Sequence, residues 1–392
     1  MISLAILFYF FGLEACIYFT VLNLIGSIGI YIKIKKDYYT TKKDKETGKD
    51  MHEAYPSFCR TDECPSFQRL FLGFISFAWL KMILFISAVL NCYIWVRILR
   101  FFRKDPNASS AFSFKICQYT NYILTKIAGI FPIRVYNKEK VIQVYKKYLG
   151  EGFDYDKEIK SKDYACAISY HIGWIDIFFC ESITGASFAA KSSVKKMPIV
   201  GLICDCMDTV WIDRGDKSAS KDAAISINHR QELIMNGKIK NKLFLFPEGT
   251  GSNNRGLNIF KKGAFYLLNP VKPFCQLVYR NGRVSKEEEE KRHKTEDSFS
   301  LGAGGMKLAF HLITSFCFLY FSEYTCLDLP VITPNEYMYE KYGDIAKDKP
   351  SIFAEVTRRI MSECSGLELI EAQFEDKLTY LSKIKGKVIS NT

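Results

Sequence analysis

The chain has 392 residues, enough for one large or two modest domains, and its 48% apolar and 15% aromatic content excludes a disordered or fibrous protein. A charged share of 24% excludes a bundle of spanning helices throughout, while the net charge of +12 suits an anionic partner: nucleic acid, a phosphate-bearing ligand or an acidic lipid surface. Thirteen cysteines, scattered singly and often inside apolar runs, read as buried reduced thiols facing the cytosol or membrane, not as a secreted disulfide scaffold.

Hydrophobicity is concentrated near the start. Residues 1–32 carry one charge, Glu14, and 15–32 carry none, which is just long enough for a spanning helix. Without a basic start or a small-residue cleavage site, this segment reads as an uncleaved anchor and not as a signal peptide. A basic linker follows over 33–67, and the positive-inside rule assigns it to the cytosolic face. The next apolar run, 70–99, is interrupted only by Lys81 and Arg97 and is followed by Arg100, Arg103 and Lys104. Basic flanks at both ends compete for one membrane face, so a hairpin within 68–105 is preferred to a single crossing. Beyond it, Asn107-Ala108-Ser109 matches a glycosylation acceptor that a cytosolic segment would leave unused. A third run, 308–322 with His311, is short for a span and suits a core or interfacial segment.

From about residue 165 the texture changes. Short apolar runs at 165–169, 187–190, 209–212, 243–246 and 274–279 end in polar clusters, with a helical stretch over 218–235. Strands alternating with helices predict an α/β domain over 106–335: a mostly parallel central sheet flanked by helices and preceded by N-terminal membrane helices. A charged insert at 280–298 reads as a solvated segment. The tail over 336–392 reads as helical, with Phe353, Val356, Ile360 and Met361 spaced for one face.

Of the five histidines, His52, His229 and His293 lie in polar stretches and His311 in an apolar run. His171 differs: it follows the run 165–169 and Tyr170, and precedes Ile172-Gly173-Trp174-Ile175-Asp176. On one continuous helix, residues five apart are rotated by about 140° and do not meet. If a strand ends near His171, Gly173 turns the chain and a helix starts near Trp174, Asp176 swings back beneath the imidazole. A carboxylate there fixes the tautomer and raises the basicity of the ring, as a general base requires. The run 243–246 leads into Phe246-Pro247-Glu248-Gly249-Thr250, a carboxylate beside flexible backbone whose N–H groups can face an anion. The run 209–212 ends at Asp213-Arg214, whose guanidinium could grip a phosphate or form a surface salt bridge. Three strands delivering His171, Arg214 and Glu248 at their C-terminal ends is the usual site geometry of an open α/β sheet.

Other chemistries lack their residues. There is no Gly-x-Ser-x-Gly elbow for a serine hydrolase. Cys166 reads as core, and Cys204-Asp205-Cys206 has no second pair at zinc spacing. The basic stretches lack the aromatic interleaving of a nucleic-acid binder.

Taken jointly, these features resemble the glycerolipid acyltransferases of the phosphatidate-forming and lysophosphatidylcholine-remodelling type. The matching motifs are His171 with Asp176, the Arg214-ended run from 211, Phe246-Pro247-Glu248-Gly249-Thr250, and the stretch 271–279 around Pro273. Phe260-Lys261-Lys262-Gly263-Ala264-Phe265, Lys195-Lys196-Met197-Pro198, Leu329-Pro330-Val331 and Pro334-Asn335-Glu336 add to a resemblance that covers about 110–365. Tyr170, Gly173 and Gly251 depart from it, standing where the family usually has Asn, Ser or Thr, and a larger residue. The resemblance implies a membrane-bound enzyme of the endoplasmic reticulum with a cytosolic active site. It would move a long-chain acyl group from acyl-CoA, a co-substrate and not a cofactor, to the free hydroxyl of a lysophospholipid at the lipid bilayer, with no metal. His171 and Asp176 would be catalytic, and Arg214, Glu248, Gly249, Thr250 and Pro273 would bind substrate. Lys191, Lys195 and Lys196 are candidates for the phosphates of CoA, or a solvated basic face. The alternatives are a glycerol-3-phosphate acyltransferase, a CoA-independent transacylase and an inactive lipid-binding scaffold.

Overall fold

The computed structural model describes residues 2–60, 64, 66–102, 111–128, 130–135, 138–213, 217–279, 316 and 322–386. The first helix, α1 (Ile2–Thr40), leaves its helical path only at Gly12, whose φ is 79°. Phe10, Leu13, Ile17, Leu22, Ile25 and Ile32 project outward, while Thr20 and Asn23 donate to the carbonyls of Cys16 and Phe19 within the helix. Satisfying polar groups internally is what a helix in an apolar medium requires.

The second run is one uninterrupted helical path: α2 (Phe67–Gly73), a π turn (Phe74–Ala78) and α3 (Trp79–Phe101). The hairpin expected within 68–105 is therefore corrected to a continuous helix. The run holds no proline and a single glycine, Gly73, and the π turn absorbs its extra residue without a reversal. Ile34 and Tyr38 of α1 pack with Leu70, Phe74 and Ala78, and the Trp79 Nε1–H donates to Asn23 Oδ1 at 2.7 Å. Both α1 from Tyr9 and α3 are long and apolar enough to cross a membrane. Farther along, α3 leans on the domain that follows. Phe85 meets Trp174 and Phe178 edge-on, and Cys92 and Val96 are buried with Cys117 and Cys206.

That domain runs through α4 (Ala111–Ile127), β1 (Ile130–Val135), α5 (Lys138–Leu149), α6 (Tyr155–Glu158), β2 (Cys166–Ile168), α7 (Ile175–Thr184), β3 (Ser187–Lys191), α8 (Ser192–Lys195), α9 (Pro198–Cys206) and β4 (Val210–Ile212). It continues with α10 (Lys217–Met235), β5 (Leu243–Leu245), β6 (Gly256–Leu257), β7 (Val271–Tyr279) and β8 (Ser322–Asp328), then α11 (Glu336–Tyr342), α12 (Lys349–Ser365), β9 (Glu368–Leu369) and α13 (Phe374–Lys385). Among the described residues, seven strands form one sheet in the order β1-β8-β7-β2-β5-β3-β4. The five from β7 to β4 are parallel, whereas β8 runs antiparallel to β7 and β1 follows β8. The expected mostly parallel α/β sheet is thus present. Its central strands β2 and β5 are wholly buried and lack charge, as strands covered on both faces must. Ile168 lies opposite Leu245 and Pro273, so β2 and β5 release the chain side by side at one sheet edge. On α12, Phe353, Val356, Ile360 and Met361 are all fully buried in the core. Most of the twelve described cysteines are buried.

Both flanks of the domain close over the segment after β5. Met51, Phe58 and Cys59 share a small core with Ala372, Tyr380 and Ile384, so 41–60 is docked chain and not a free linker. Arg358 of α12, 1% exposed, donates to the Leu257 carbonyl from Nε and Nη2 (3.3 and 3.1 Å) and to the Ile370 carbonyl from Nη2 (2.9 Å). It also pairs with Glu355 and Glu371 at 3.0 Å each. Replacing Arg358 with Met keeps the bulk but strands two carbonyls and Glu355. The expected cost is about 3 kcal/mol, read as a lowered melting temperature of the detergent-solubilised chain; an unchanged value would show that the network contributes nothing net.

Candidate active site

After β2 the chain turns at Ile172-Gly173 and enters α7, which puts Asp176 in the first helical turn, where the helix dipole favours a carboxylate. Asp176 is fully buried, and its Oδ2 accepts from His171 Nδ1 at 2.9 Å, from Gly173 N–H at 2.9 Å and from Ile172 N–H. A carboxylate accepts only, so this contact places the ring proton on Nδ1 and the lone pair on Nε2. Nothing hydrogen-bonds Nε2 among the described residues, and the His171 side chain keeps 27% of its surface open. Phe246, at the end of β5, stacks on the imidazole with ring centres 4.5 Å apart and planes 24° from parallel. The imidazole is held from below by Asp176 and from the side by Phe246.

Glu248 follows two residues later, 1% exposed. Its Oε1 accepts from Asn258 N–H at 2.8 Å and its Oε2 from His171 N–H at 3.5 Å, so one buried carboxylate links the β2 and β5 ends to the β6 segment. Gly249 takes φ of 66°, a conformation that disfavours side chains, and its N–H donates to the Phe246 carbonyl at 2.9 Å. Gly251 then pairs with His171 in a parallel bridge, and Ser252 N–H donates to the His171 carbonyl at 2.7 Å. His171, Asp176 and the whole Phe246-to-Ser252 segment form one unit.

A family model described as Acyltransferase matches residues 132–275. The chain is 30% identical over 222 residues to the lysophospholipid acyltransferase LPEAT1 of Arabidopsis thaliana, covering 56% of this chain and 50% of that protein. It is 29% identical over 198 residues to lysophosphatidylcholine acyltransferase 1 of Danio rerio, covering 50% and 33%. Residues 132–275 form an acyltransferase domain. A lyso-ornithine lipid O-acyltransferase of Rhizobium meliloti matches at 34% over 95 residues, covering 24% of this chain and 30% of that one. The chain thus spans half or less of the length of these relatives. The solved 1-acyl-sn-glycerophosphate acyltransferase PlsC of Thermotoga maritima superposes with a TM-score of 0.40 at 13% identity, over 72% of this chain and 94% of that one.

In this acyltransferase domain the other expected site residues fall at different depths. Lys191 ends β3, and Lys195 and Lys196 follow it, all exposed at the sheet edge that carries His171 and Glu248; Lys195 Nζ lies 5.8 Å from the Trp211 ring centre. Thr250 is buried beside Gly249. Pro273 sits inside the sheet in β7, level with Ile168. Arg214, like the charged insert and His311, lies outside the described residues. Tyr170 points away into the core, where its hydroxyl donates to the Gln276 carbonyl.

Several supporting residues are not visible from sequence motifs. Asn253 donates through Nδ2 to the Pro56 and Cys59 carbonyls at 2.6 and 2.8 Å, and through its N–H to the Ser57 carbonyl at 2.8 Å. Ser57 in turn donates to Asn258 Oδ1. The Gly251-Ser252-Asn253-Asn254 cluster is a turn signal in the sequence, but nothing near Ser57 announces a partner about two hundred residues away.

Burial pushes the Glu248 carboxyl up to about 7, against the Asn258 and His171 N–H groups, which favour its ionised form. Its folded value lies above the ordinary 4.5, so the folded chain holds a proton that the unfolded chain has lost. Stability should therefore fall as pH rises from about 4.5 to about 7 and then level off. A Glu248→Gln variant, whatever its overall offset, should lack this decline; parallel melting-temperature profiles for the two proteins would remove Glu248 as its source.

Proposed function

We propose that this protein transfers a long-chain acyl group from acyl-CoA to the free hydroxyl of a lysophospholipid. The observation that carries this reading is the His171 imidazole, fixed through Nδ1 by buried Asp176 with Nε2 left to accept a proton. As the acceptor oxygen bonds to the thioester carbonyl carbon, its proton passes to Nε2. The C–S bond then breaks, and the departing CoA sulfur takes that proton. Asp176 stabilises the imidazolium formed between the two steps without being protonated itself. A thiolate leaves readily, so no acyl-enzyme is required.

The lysolipid acceptor is supported by what the relatives share, since each of these enzymes is named for a lysolipid. Glu248, with both oxygens taken by backbone N–H groups, acts by shaping the site wall and not by touching the acceptor. Arg214 pairs with the acceptor phosphate, and Lys191, Lys195 and Lys196 offer charge to the phosphates of CoA. Gly249 and Thr250 line the acceptor side. The protein is membrane-bound through α1 and the α2–α3 helix, which suits two amphiphilic substrates. The basic chain after α1 docks on the domain through Thr41, Phe58 and Cys59, which under the positive-inside rule supports a cytosolic active site; the family resemblance supports the endoplasmic reticulum.

The test uses membranes carrying the wild type or His171→Ala, given labelled acyl-CoA and, separately, glycerol-3-phosphate, lysophosphatidate, lysophosphatidylcholine and lysophosphatidylethanolamine. The wild type should acylate at least one lysophospholipid, and the variant should lose about 10³-fold of that rate. Acylation of glycerol-3-phosphate alone would change the acceptor, and activity surviving in the variant would remove His171 as the base.

A further inference from the structure

The turn after Glu248 is held against His171 from the far end of the chain. Lys377, on α13, donates from Nζ to the Gly251 carbonyl at 2.6 Å, and Gly251 is the residue bridged to His171. A Cβ added to Gly251 would lie 3.5 Å from His171 Cδ2 and 3.7 Å from Lys377 Nζ, so imidazole edge and ammonium flank the same glycine. The lysine is itself fixed. Its Nζ lies 5.8 Å from the centre of the Phe58 ring, and the start of α13 is set by a capping box between Gln373 and Asp376. Three residues on, fully buried Tyr380 donates its hydroxyl hydrogen to the Thr41 carbonyl at 2.6 Å. An exposed lysine loses rotamer entropy when pinned; here the Phe58 ring and the Gly251 carbonyl already restrict it.

We infer that Lys377 is a positioning residue of the acyl-transfer site, its charge-assisted hydrogen bond to Gly251 holding the turn 249–252 in place. Through Ser252 N–H, which donates to the His171 carbonyl at 2.7 Å, that turn keeps the imidazole on Phe246 and above Asp176. The same ammonium favours the ionised form of Glu248 on the opposite side of the turn. The inference rests on the acyl-transfer reading, and it places a residue outside the 132–275 match at the reaction centre's edge.

The experiment takes the full chain in detergent micelles, as wild type, Lys377→Met and Lys377→Arg. Both kcat and KM are measured for acyl-CoA and for the lysophospholipid, alongside hydrogen exchange over 247–255. A hydrogen bond to a charged group contributes about 1.5–3 kcal/mol, so Lys377→Met should lower kcat at least about tenfold. Both KM values should stay near wild type, and the Ser252 amide should exchange faster while β2 and β5 stay protected. Lys377→Arg, which keeps charge and donors, should recover most of kcat. A wild-type kcat in Lys377→Met would overturn the inference. So would a raised lysophospholipid KM at unchanged kcat, which would make Lys377 a substrate contact, or an arginine variant as slow as the methionine one. If the wild type transfers no acyl group, the acyl-transfer reading fails by itself. Exchange then decides on Lys377: unchanged protection of Ser252 in Lys377→Met overturns the positioning role, and faster exchange upholds it.

Discussion

One buried oxygen, Oδ2 of Asp176, organises the site by taking N–H groups from His171, Ile172 and Gly173 at once. A carboxylate withdrawn from water is costly unless its lone pairs are filled, and the tight turn between β2 and α7 supplies the donors that fill them. The same bonds that make burial tolerable set the imidazole's tautomer and tilt, so folding of this turn and orientation of the ring are one event. The helix is anchored farther along as well. Glu181, pushed up to about 8 by burial, accepts from Asn121 of α4 at 2.9 Å, and Trp174 and Phe178 pack on Phe85 of α3. The apolar helix α3 therefore bears directly on the helix that carries Asp176.

Glu248 does for the β5 side what Asp176 does for the β2 side. Both accept N–H groups at the same sheet edge, Asp176 from the single turn between β2 and α7 and Glu248 from two segments, the β2 end and the stretch after β6. They differ in what the connection leaves open. Asp176 faces a ring whose second nitrogen can still take a proton, whereas Glu248 faces backbone on both oxygens, which makes it a strut between the motifs.

Much of this was legible in the sequence because the signals were local. Apolar runs closed by polar clusters locate β2, β3, β4, β5 and β7, and the 3.6-residue spacing of Phe353, Val356, Ile360 and Met361 locates the buried face of α12. A histidine and an aspartate on either side of a glycine turn likewise need only short-range geometry to be paired. The continuity of 67–101 was not legible, because the charge argument treats the run as if it stood alone in a bilayer. In the folded chain Cys92 and Val96 are buried against Cys117 and Cys206. Tyr170 looked like a change beside the base, yet a strand's alternation sends its side chain to the opposite face, onto Gln276. The contacts of Ser57, Asn253, Arg358 and Lys377 escape any motif, since each joins segments far apart in the sequence through main-chain carbonyls, which carry no residue identity.

Those distant contacts share a target. The docked chain 41–60 reaches Asn253 and Asn258, α12 reaches Leu257 through Arg358, and α13 reaches Gly251 through Lys377. Every one of them ends on the short stretch between β5 and the 3-10 turn Lys262–Ala264, the stretch that includes Glu248. A loop of that length, tied only at its strand end, would sample many arrangements, and a misplacement of about 1 Å at a reacting centre is enough to cost two orders of magnitude in rate. Closure from both sides of the domain removes that freedom. It also makes the distance between the end of α1 and His171 a packed dimension, because the chain after α1 is buried against Tyr380 and hydrogen-bonded to the loop after β5. On the proposed reading, the height of the His171 imidazole above the apolar helices is then set by core packing and not by the reach of a tether.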